Sequence, residues 1–420
     1  MIQKSKIWLY PWFRWTEKYL KTDTVYLAKG GFWLITSQVV AMAAGFGISL
    51  AFSHFFPKEG FGTYKFIISV VGLLGVFSLT QTGTAITRAI ARGFNGALVQ
   101  GFKTNFKWSF GLFLGGLGLA VYYFINDNYV LAASFLMAGV FLPITSSSSL
   151  YDAFLQGKKN FRQSTFFSMA RNTLPALSMI VTIFLTDNVV ILMAVYFMVS
   201  AAVAGTLFWL TKRKYRNENR DTDPELASYS GHLSAMEVIG QVANYLDKIL
   251  VFHFLGAVPL AIYAFAIAPV EQLQGGKKIL SSLIFPKLSE RSFEELQQSG
   301  PRKALLLTVY ALGLAGVYVL FAPYFYGFFY PQYVDAILYS QVYSLTLLAV
   351  SGTIFDSTLI AHNRKKELYV HRITMPILKI GLFLTLLPIF GIMGLVITHV
   401  FIRIFAGLLS YYLVMHPFKS

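Results

Sequence analysis

The chain has 420 residues, 55% hydrophobic, 16% aromatic and only 13% charged, with a formal net charge of +16. So little charge over such a length excludes a soluble globular protein and places the chain among polytopic membrane proteins. The basic residues are dispersed over short connectors, so membrane topology accounts for them and nucleic-acid binding does not; the absence of cysteine excludes disulfides, thiolate metal sites and cysteine nucleophiles.

Residues 1–30 form a polar and aromatic arm containing Ile7-Trp8-Leu9-Tyr10-Pro11-Trp12-Phe13-Arg14-Trp15. Aromatics interleaved with cations predict a cytoplasmic, interfacial segment lying at the headgroups. No cleavable signal peptide is evident, so the first span is expected to act as an uncleaved signal anchor. Apolar stretches long enough to cross a bilayer fall at 31–53, 62–82, 107–125, 129–150, 164–186, 189–210, 232–255, 259–281, 303–325, 336–360, 372–390 and 392–415, which is twelve.

Lysine and arginine crowd one set of alternate connectors: the N-terminal arm, residues 82–107 with Arg88 and Arg92, 158–162, 211–220, 277–303 and 364–372. The opposite set holds only Lys58 and Lys65. This asymmetry predicts a multi-pass protein of the cytoplasmic (inner) membrane with both termini cytoplasmic. The opposite connectors are very short, Asn126-Asp127-Asn128 for example, and leave no room for an extramembrane catalytic domain. No phosphate-binding loop, nucleophile elbow or paired-carboxylate site stands out, and the seven histidines show no ligand spacing. No enzyme activity, cofactor or metal is expected.

The basic connector 211–230 divides the chain near its midpoint, giving an N-terminal six-helix bundle over 31–210 and a C-terminal one over 231–416. A weak duplication supports the halves. Ser37-Gln38-Val39 matches Gly240-Gln241-Val242, Phe52-Ser53-His54-Phe55-Phe56 matches Phe252-His253-Phe254-Leu255, and Ser149-Leu150-Tyr151-Asp152 matches Ile354-Phe355-Asp356-Ser357. Each member of the last pair precedes a basic connector and then a proline in the next span, Pro175 or Pro376. Halves of six helices run in the same direction, which predicts a pseudo-two-fold axis along the membrane normal.

All but four of the 35 lysines and arginines lie in connectors or at helix ends. The exceptions are Arg171, Lys248, Lys379 and Arg403, each inside an apolar span. A cation at the bilayer centre costs about 2.5–3.5 kcal/mol on insertion scales unless it faces a water-filled cavity or a partner. Four of one sign predict a lumen built for an anion. In span 7, Glu237, Gln241, Asn244 and Lys248 are spaced 4, 3 and 4 residues apart and share one helix face. That stripe either lines a solvated cavity or glues helices together. Asp247 lies about 100° around the helix from Lys248 and is not automatically its partner.

Span 8 repeats the pattern with Glu271, Gln274 and Lys278, and the end of span 2 offers Gln81, Thr84, Arg88 and Arg92. The two arginines fit a cytoplasmic helix end as well as a functional role. His399 and Arg403 lie one turn apart in span 12. Arg171 and Lys379 sit about two turns into spans 5 and 11 and can snorkel to headgroups. Lys248 and Arg403 are too deep to do so and form the expected anion site. Gly111, Gly115 and Gly118 read as close-packing positions, and Ser146–Ser149 with Asp152 either bind an ion or cap a helix end, the cap being the expectation.

Twelve spans in two halves, the basic central connector, Asp247-Lys248 in span 7 and Leu283-Ile284-Phe285-Pro286-Lys287-Leu288-Ser289 after span 8 resemble the polysaccharide-exporter branch of the multidrug/oligosaccharidyl-lipid/polysaccharide (MOP) superfamily. The likeness is to O-antigen and related lipid-linked oligosaccharide flippases, and it covers essentially the whole chain. It implies an all-α, V-shaped pair of bundles around a cationic cavity. It further implies transfer of an undecaprenyl-pyrophosphate-linked glycan, such as a lipopolysaccharide O-antigen unit, from the cytoplasmic to the outer leaflet. Implied partners are the bilayer, H+ or Na+, and the polysaccharide polymerase and chain-length machinery. Lipid II flippases of that superfamily carry two further C-terminal spans, and the ending His416-Pro417-Phe418-Lys419-Ser420 speaks against that subfamily.

With that resemblance, Arg171, Lys248, Lys379 and Arg403, with Arg88, Arg92 and His399, are expected to meet the diphosphate, and Gln241 and Asn244 the sugar hydroxyls. Glu237, Glu271 and Asp247 are the expected ion-coupling carboxylates. A multidrug or small-molecule antiporter on the same fold is the alternative, but cationic drugs call for an acidic lumen. A glycan polymerase calls for a large outer loop.

Overall fold

A computed structural model describes residues 24–216, 218, 221–289 and 291–418, with backbone alone for 24–32, 34, 35, 275–287 and 289. The interfacial arm up to residue 23 lies outside the described residues, as do the side chains of Lys278 and of most of the Leu283–Ser289 motif. The described chain is helical almost throughout. In order come α1 (Thr24–Phe55), α2 (Lys58–Leu74), α3 (Thr82–Ala91), α4 (Ala97–Trp108), α5 (Phe110–Ile125), α6 (Tyr129–Ser148), α7 (Tyr151–Gly157) and α8 (Phe161–Leu185). Then follow α9 (Val189–Lys214), α10 (Leu226–Leu255), α11 (Ala257–Ser289), α12 (Phe293–Phe329), α13 (Ile337–Tyr343), α14 (Gly352–Ala361), α15 (Lys365–Phe390) and α16 (Ile392–Met415).

Eleven segments among the described residues are long and apolar enough to cross a bilayer. Large side chains such as Leu185, Leu320, Phe321 and Phe328 are bare on these helices, a pattern that water would punish and hydrocarbon covers. The chain is therefore an integral membrane protein. The predicted span 232–255 lies in α10, whose 30 residues reach about 45 Å. It falls outside the eleven because its charged and amide residues dilute its hydropathy.

Three expectations change. The predicted span 62–82 stops at Leu74, and a 3-10 turn and a bend lead to the separate helix α3. The break is stable because its exposed carbonyl is satisfied: Leu79 O accepts from Thr82 Oγ1 (2.7 Å) and from Asn105 Nδ2 (3.1 Å). The connector drawn over 82–107 is itself helical, and α4 runs into α5 as one candidate span, Ala97–Ile125; Lys103, Asn105 and Lys107 had hidden its apolar period. The predicted span 336–360 breaks into α13, a 3-10 stretch over Ser344–Val350, and α14. Hydroxyls back-bonding to helix carbonyls drive that break: Ser344 to Gln341 O (2.6 Å), Thr346 to Tyr343 O (2.7 Å) and Ser351 to Leu348 O (3.0 Å).

Contacts divide the chain into two compact units. The first comprises the described part of Met1–Ser49 with Phe77–Thr182 and Ile191–Ser234; the second comprises Leu50–Val76, Ile183–Val190 and Ala235–Ser420. In the first, α5 packs on α6 at a small-residue crossing. A Cβ added to Gly116 would lie 2.6 Å from the Gly139 Cα. That close approach falls on Gly116; of the expected positions, Gly111 is tightly packed, an added Cβ lying 3.0 Å from Phe77 Cβ, whereas Gly118 has nothing within 4 Å. The connector after α9 docks on this unit through Gln100, which donates to Asp223 O (2.7 Å) and accepts from Asp223 N (3.0 Å).

In the second unit α2 lies against α11. Gly62 abuts the Ala257 carbonyl so closely that no Cβ fits, and Phe66 stacks on Phe252 with centroids 3.9 Å apart. Around this seam Phe52, Phe61, Tyr64, Phe265 and Tyr333 form an aromatic core. Ser53 Oγ donates to Phe329 O (2.9 Å) and Lys58 pairs with Asp335 (3.2 Å).

One matched pair of turns bears on the duplication. After α7 the chain turns through Lys159 at φ 57°, and after α14 through Asn363 at φ 52°. In both, the N–H three places past the helix end bonds five residues back: Asn160 to Leu155 O (2.9 Å) and Arg364 to Leu359 O (3.0 Å). This is the Schellman C-cap pattern, and it recurs where the Tyr-Asp and Phe-Asp matches lie.

Candidate functional site

Five segments of the second unit converge on one polar cluster. Helix α10 supplies Asp247 and Lys248, α11 supplies Tyr263, Glu271 and Gln274, the α13 end and following turn supply Tyr343 and Thr346, α15 supplies Lys379, and α16 supplies His399 and Arg403. The spacings explain the convergence. Residues 271 and 274, and 399 and 403, are i,i+3 and i,i+4 neighbours that share a helix face.

Asp247 is 2% exposed and is the centre of the inner half. Its carboxylate accepts from the Tyr263 hydroxyl (2.8 Å), the Lys248 amide (2.8 Å) and the Lys248 ammonium (3.2 Å), and lies 3.3 Å from His399 Nε2. His399 Nε2 also lies 2.9 Å from the Tyr263 oxygen. Lys248, which periodicity left without a partner, thus has its sequence neighbour as counter-ion, because a long flexible side chain bends back to it.

The outer half is built on Glu271. Arg403 Nη2 donates to Glu271 Oε1 at 2.5 Å, and the Tyr343 hydroxyl donates to the same oxygen. Arg403 Nη1 donates to Gln274 Oε1, whose amide in turn donates to Thr346 Oγ1 (2.8 Å). The Glu271 side chain is 41% exposed and that of Arg403 27%, so this pair is reachable where Asp247 is not. The rings of Tyr343 and Phe383 sit 5.5 and 5.3 Å from the His399 ring and join the two halves.

Lys379 approaches only the Phe383 ring (5.3 Å). It lies in the field of Asp247, Lys248, Arg403 and Glu271 and makes no ion pair among the described residues. Lys65 of α2, which the connector count had set aside with Lys58, lies within electrostatic range of Lys248 and over the Phe61 and Tyr64 rings (5.2 and 5.6 Å). Four cations therefore face two carboxylates here. No spacing pattern assigned Lys65 or Tyr263 to the site; Lys65 read as a connector cation.

The remaining expected residues lie elsewhere. Glu237, Gln241 and Asn244 share the α10 stripe but make no hydrogen bond among the described residues, and Glu237 is exposed. Arg88 and Arg92 belong to the first unit, where they pair with Glu225 (3.2 and 3.4 Å) of the connector; Arg92 also reaches Asp223 (3.8 Å). Arg171 lines a polar cavity of that unit.

A family model described as polysaccharide biosynthesis protein matches residues 27–292. A Shigella flexneri protein described as an O-antigen transporter is 24% identical over 294 residues, covering 63% of this chain and 67% of the relative. The fold is similar to that of the lipid II flippase MurJ in an inward closed conformation (TM-score 0.65, 13% identity, 92% of this chain and 87% of that one). It is also similar to an outward-facing MATE family transporter of the MOP superfamily (TM-score 0.58, 14% identity, 94% and 96%).

Proposed function

The chain belongs to the polysaccharide biosynthesis protein family, and from that premise we propose that it is a flippase for an undecaprenyl-pyrophosphate-linked oligosaccharide. It moves an O-antigen or other surface-polysaccharide repeat unit from the cytoplasmic to the outer leaflet of the inner membrane, with both termini cytoplasmic. The observation that carries this reading is the excess of cations in the second unit: Lys65, Lys248, Lys379 and Arg403 against Asp247 and Glu271. A diphosphate needs such an excess, and a cationic drug would be repelled by it, which argues against a multidrug antiporter on the same fold.

The chemistry is one of exchange. The Arg403 guanidinium is held by Glu271 and Gln274, and a diphosphate oxygen can replace both in the same planar fork. Lys379 brings an uncommitted ammonium. Each charge-assisted hydrogen bond lost to the protein is regained from the ligand at about 1.5–3 kcal/mol, so binding stays weak enough to release. Glu271, displaced from Arg403, keeps the Tyr343 hydroxyl and takes a proton or Na+ in place of the guanidinium. Anion binding is thereby linked to cation uptake. Asp247 and Glu237 are the other coupling candidates, and Gln241 and Asn244 offer amides to sugar hydroxyls along α10. Transport proceeds by alternating access of the halves 31–210 and 231–416 about the 211–230 connector, and it makes or breaks no covalent bond. A polymerase and chain-length machinery would receive the product.

The test is export in cells. Lys379→Ala and Arg403→Ala are each expected to impair surface glycan while leaving membrane levels of the protein intact, since neither strips the counter-ion from a buried carboxylate. Normal surface glycan in both variants would overturn the cationic-site reading. In liposomes, Glu271→Gln is expected to change the pH or Na+ dependence of transport, and an unchanged dependence there and in Glu237→Gln would move coupling elsewhere.

A further inference from the structure

The first unit contains a cavity of about 530 Å³ at the point where two helices stop short. One wall is the bend between α2 and α3, and the other is the junction of α6 with α7, closed by α8 at Arg171. Its size lies within the roughly 300–1,000 Å³ of small-ligand sites. Its lining chemistry differs from that of the second unit's cluster.

Hydroxyl groups are the commonest polar lining, and those of Thr84, Thr87 and Ser149 are already spent as donors. Thr84 donates to Gln81 Oε1 (2.9 Å), Thr87 is shared between the Gly83 and Ala153 carbonyls (3.1 Å each), and Ser149 donates to Thr145 O (2.7 Å). Each keeps oxygen lone pairs as acceptors. Asp152 is fixed by three donors, Ser164 (2.5 Å) and Ser168 (3.4 Å) on one oxygen and Gln156 (2.9 Å) on the other. A carboxylate has about four lone-pair sites, so it still has room for a ligand hydroxyl. Arg171 is the opposite case: five N–H donors that make no hydrogen bond or ion pair among the described residues.

The cavity thus presents many acceptors, one unengaged donor fork and a single cation facing a single carboxylate. Its partner in chemistry is a near-neutral, polyhydroxylated molecule whose O–H groups donate to Thr84, Thr87, Ser149 and Asp152 while its ring and hydroxyl oxygens accept from Arg171. A diphosphate fits poorly, because Asp152 repels it and no second cation lines the wall. We propose that this cavity is a carbohydrate-binding site for one or a few sugar units of the transported glycan, chemically distinct from the anion-binding cluster of the second unit. It rests on the glycan-flippase reading given above. Arg171, expected from sequence to meet the diphosphate, is assigned to sugar instead.

The test uses the purified full chain in lipid nanodiscs with two separate probes. These are inorganic pyrophosphate, and the oligosaccharides released by mild acid from the lipid-linked glycans of the source cells. Arg171→Gln and Thr84→Val are expected to weaken oligosaccharide retention, the first by about tenfold to a hundredfold as a charge-assisted bond is lost, and to leave pyrophosphate retention within twofold. Lys379→Gln and Arg403→Gln are expected to do the reverse. Thr84 is an exposed, near-isosteric position, so its variant keeps the test valid should Arg171→Gln fold poorly. Equal loss of pyrophosphate in Arg171→Gln would make this a diphosphate site and overturn the proposal. Oligosaccharide retention by the parent chain that neither variant alters, or none at millimolar probe, would also overturn it. The flippase reading survives both of those results if Lys379→Ala and Arg403→Ala still lose export, and falls with it if they do not.

Discussion

Asp247 and Glu271 are both acidic residues inside the same cluster, yet their surroundings assign them opposite costs on removal. Asp247→Ala deletes a 2% exposed carboxylate that the Tyr263 hydroxyl, the Lys248 amide and ammonium and His399 all approach within 3.3 Å. Removing one member of a buried pair leaves the other charge uncompensated and costs about 3–5 kcal/mol. For a unit of this size each kcal/mol moves the midpoint by about 2–4 °C, so a fall of about 6–20 °C is expected. Glu271→Ala breaks a pair whose side chains are 41% and 27% exposed. Solvent screening holds that contribution to about 1 kcal/mol or less, or no more than about 4 °C. Asp247→Asn, which keeps an acceptor for Tyr263, should fall between the two. The assay is thermal unfolding of the detergent-purified protein at one fixed scan rate, since unfolding of such chains is governed by rate. Equal shifts for Asp247→Ala and Glu271→Ala, or a shift under about 3 °C for Asp247→Ala, would refute the distinction between a structural and an exchangeable carboxylate.

Three further outcomes are expected. Gly116→Val should cost about 1–3 kcal/mol or more through collision with Gly139, whereas Gly118→Val should stay within about 0.5 kcal/mol; the monodisperse fraction in size-exclusion chromatography after graded heating compares them. Gln100→Ala removes the side-chain bonds to the Asp223 carbonyl and amide and should speed limited proteolysis of the 211–230 connector severalfold, with an unchanged rate counting against docking of that segment. Asp335→Asn removes a pair to Lys58 in which the aspartate is 61% exposed, so the melting midpoint should move by less than about 4 °C.

Much of the fold could be read from the chain because hydrocarbon imposes a simple rule: every backbone polar group must be bonded within its own segment, so spans are long apolar helices. Two of the misplaced boundaries share one cause, and the third, at α4, was hidden by Lys103, Asn105 and Lys107. At Ser78–Thr82, Asn105 and Ser344–Ser351, side-chain hydroxyls and an amide replace helix hydrogen bonds, and a hydropathy window does not see that substitution. The candidate site was half legible. Helical spacing put Glu271 with Gln274 and His399 with Arg403 on shared faces, but spacing says nothing about which face meets which. Lys65 and Tyr263 entered the cluster only through the packing of α2 and α11.

The sequence by itself determined that the chain is an all-helical membrane protein with a surplus of intramembrane cations, because composition and charge placement act through transfer free energies that need no neighbours. Tertiary structure alone decided what each cation meets. Whether a cation meets a buried carboxylate, like Lys248 with Asp247, a partly exposed one, like Arg403 with Glu271, or none among the described residues, like Lys379, depends on distances of a few ångströms that only packing sets. Electrostatic energy in a poorly screened medium changes most steeply over those distances.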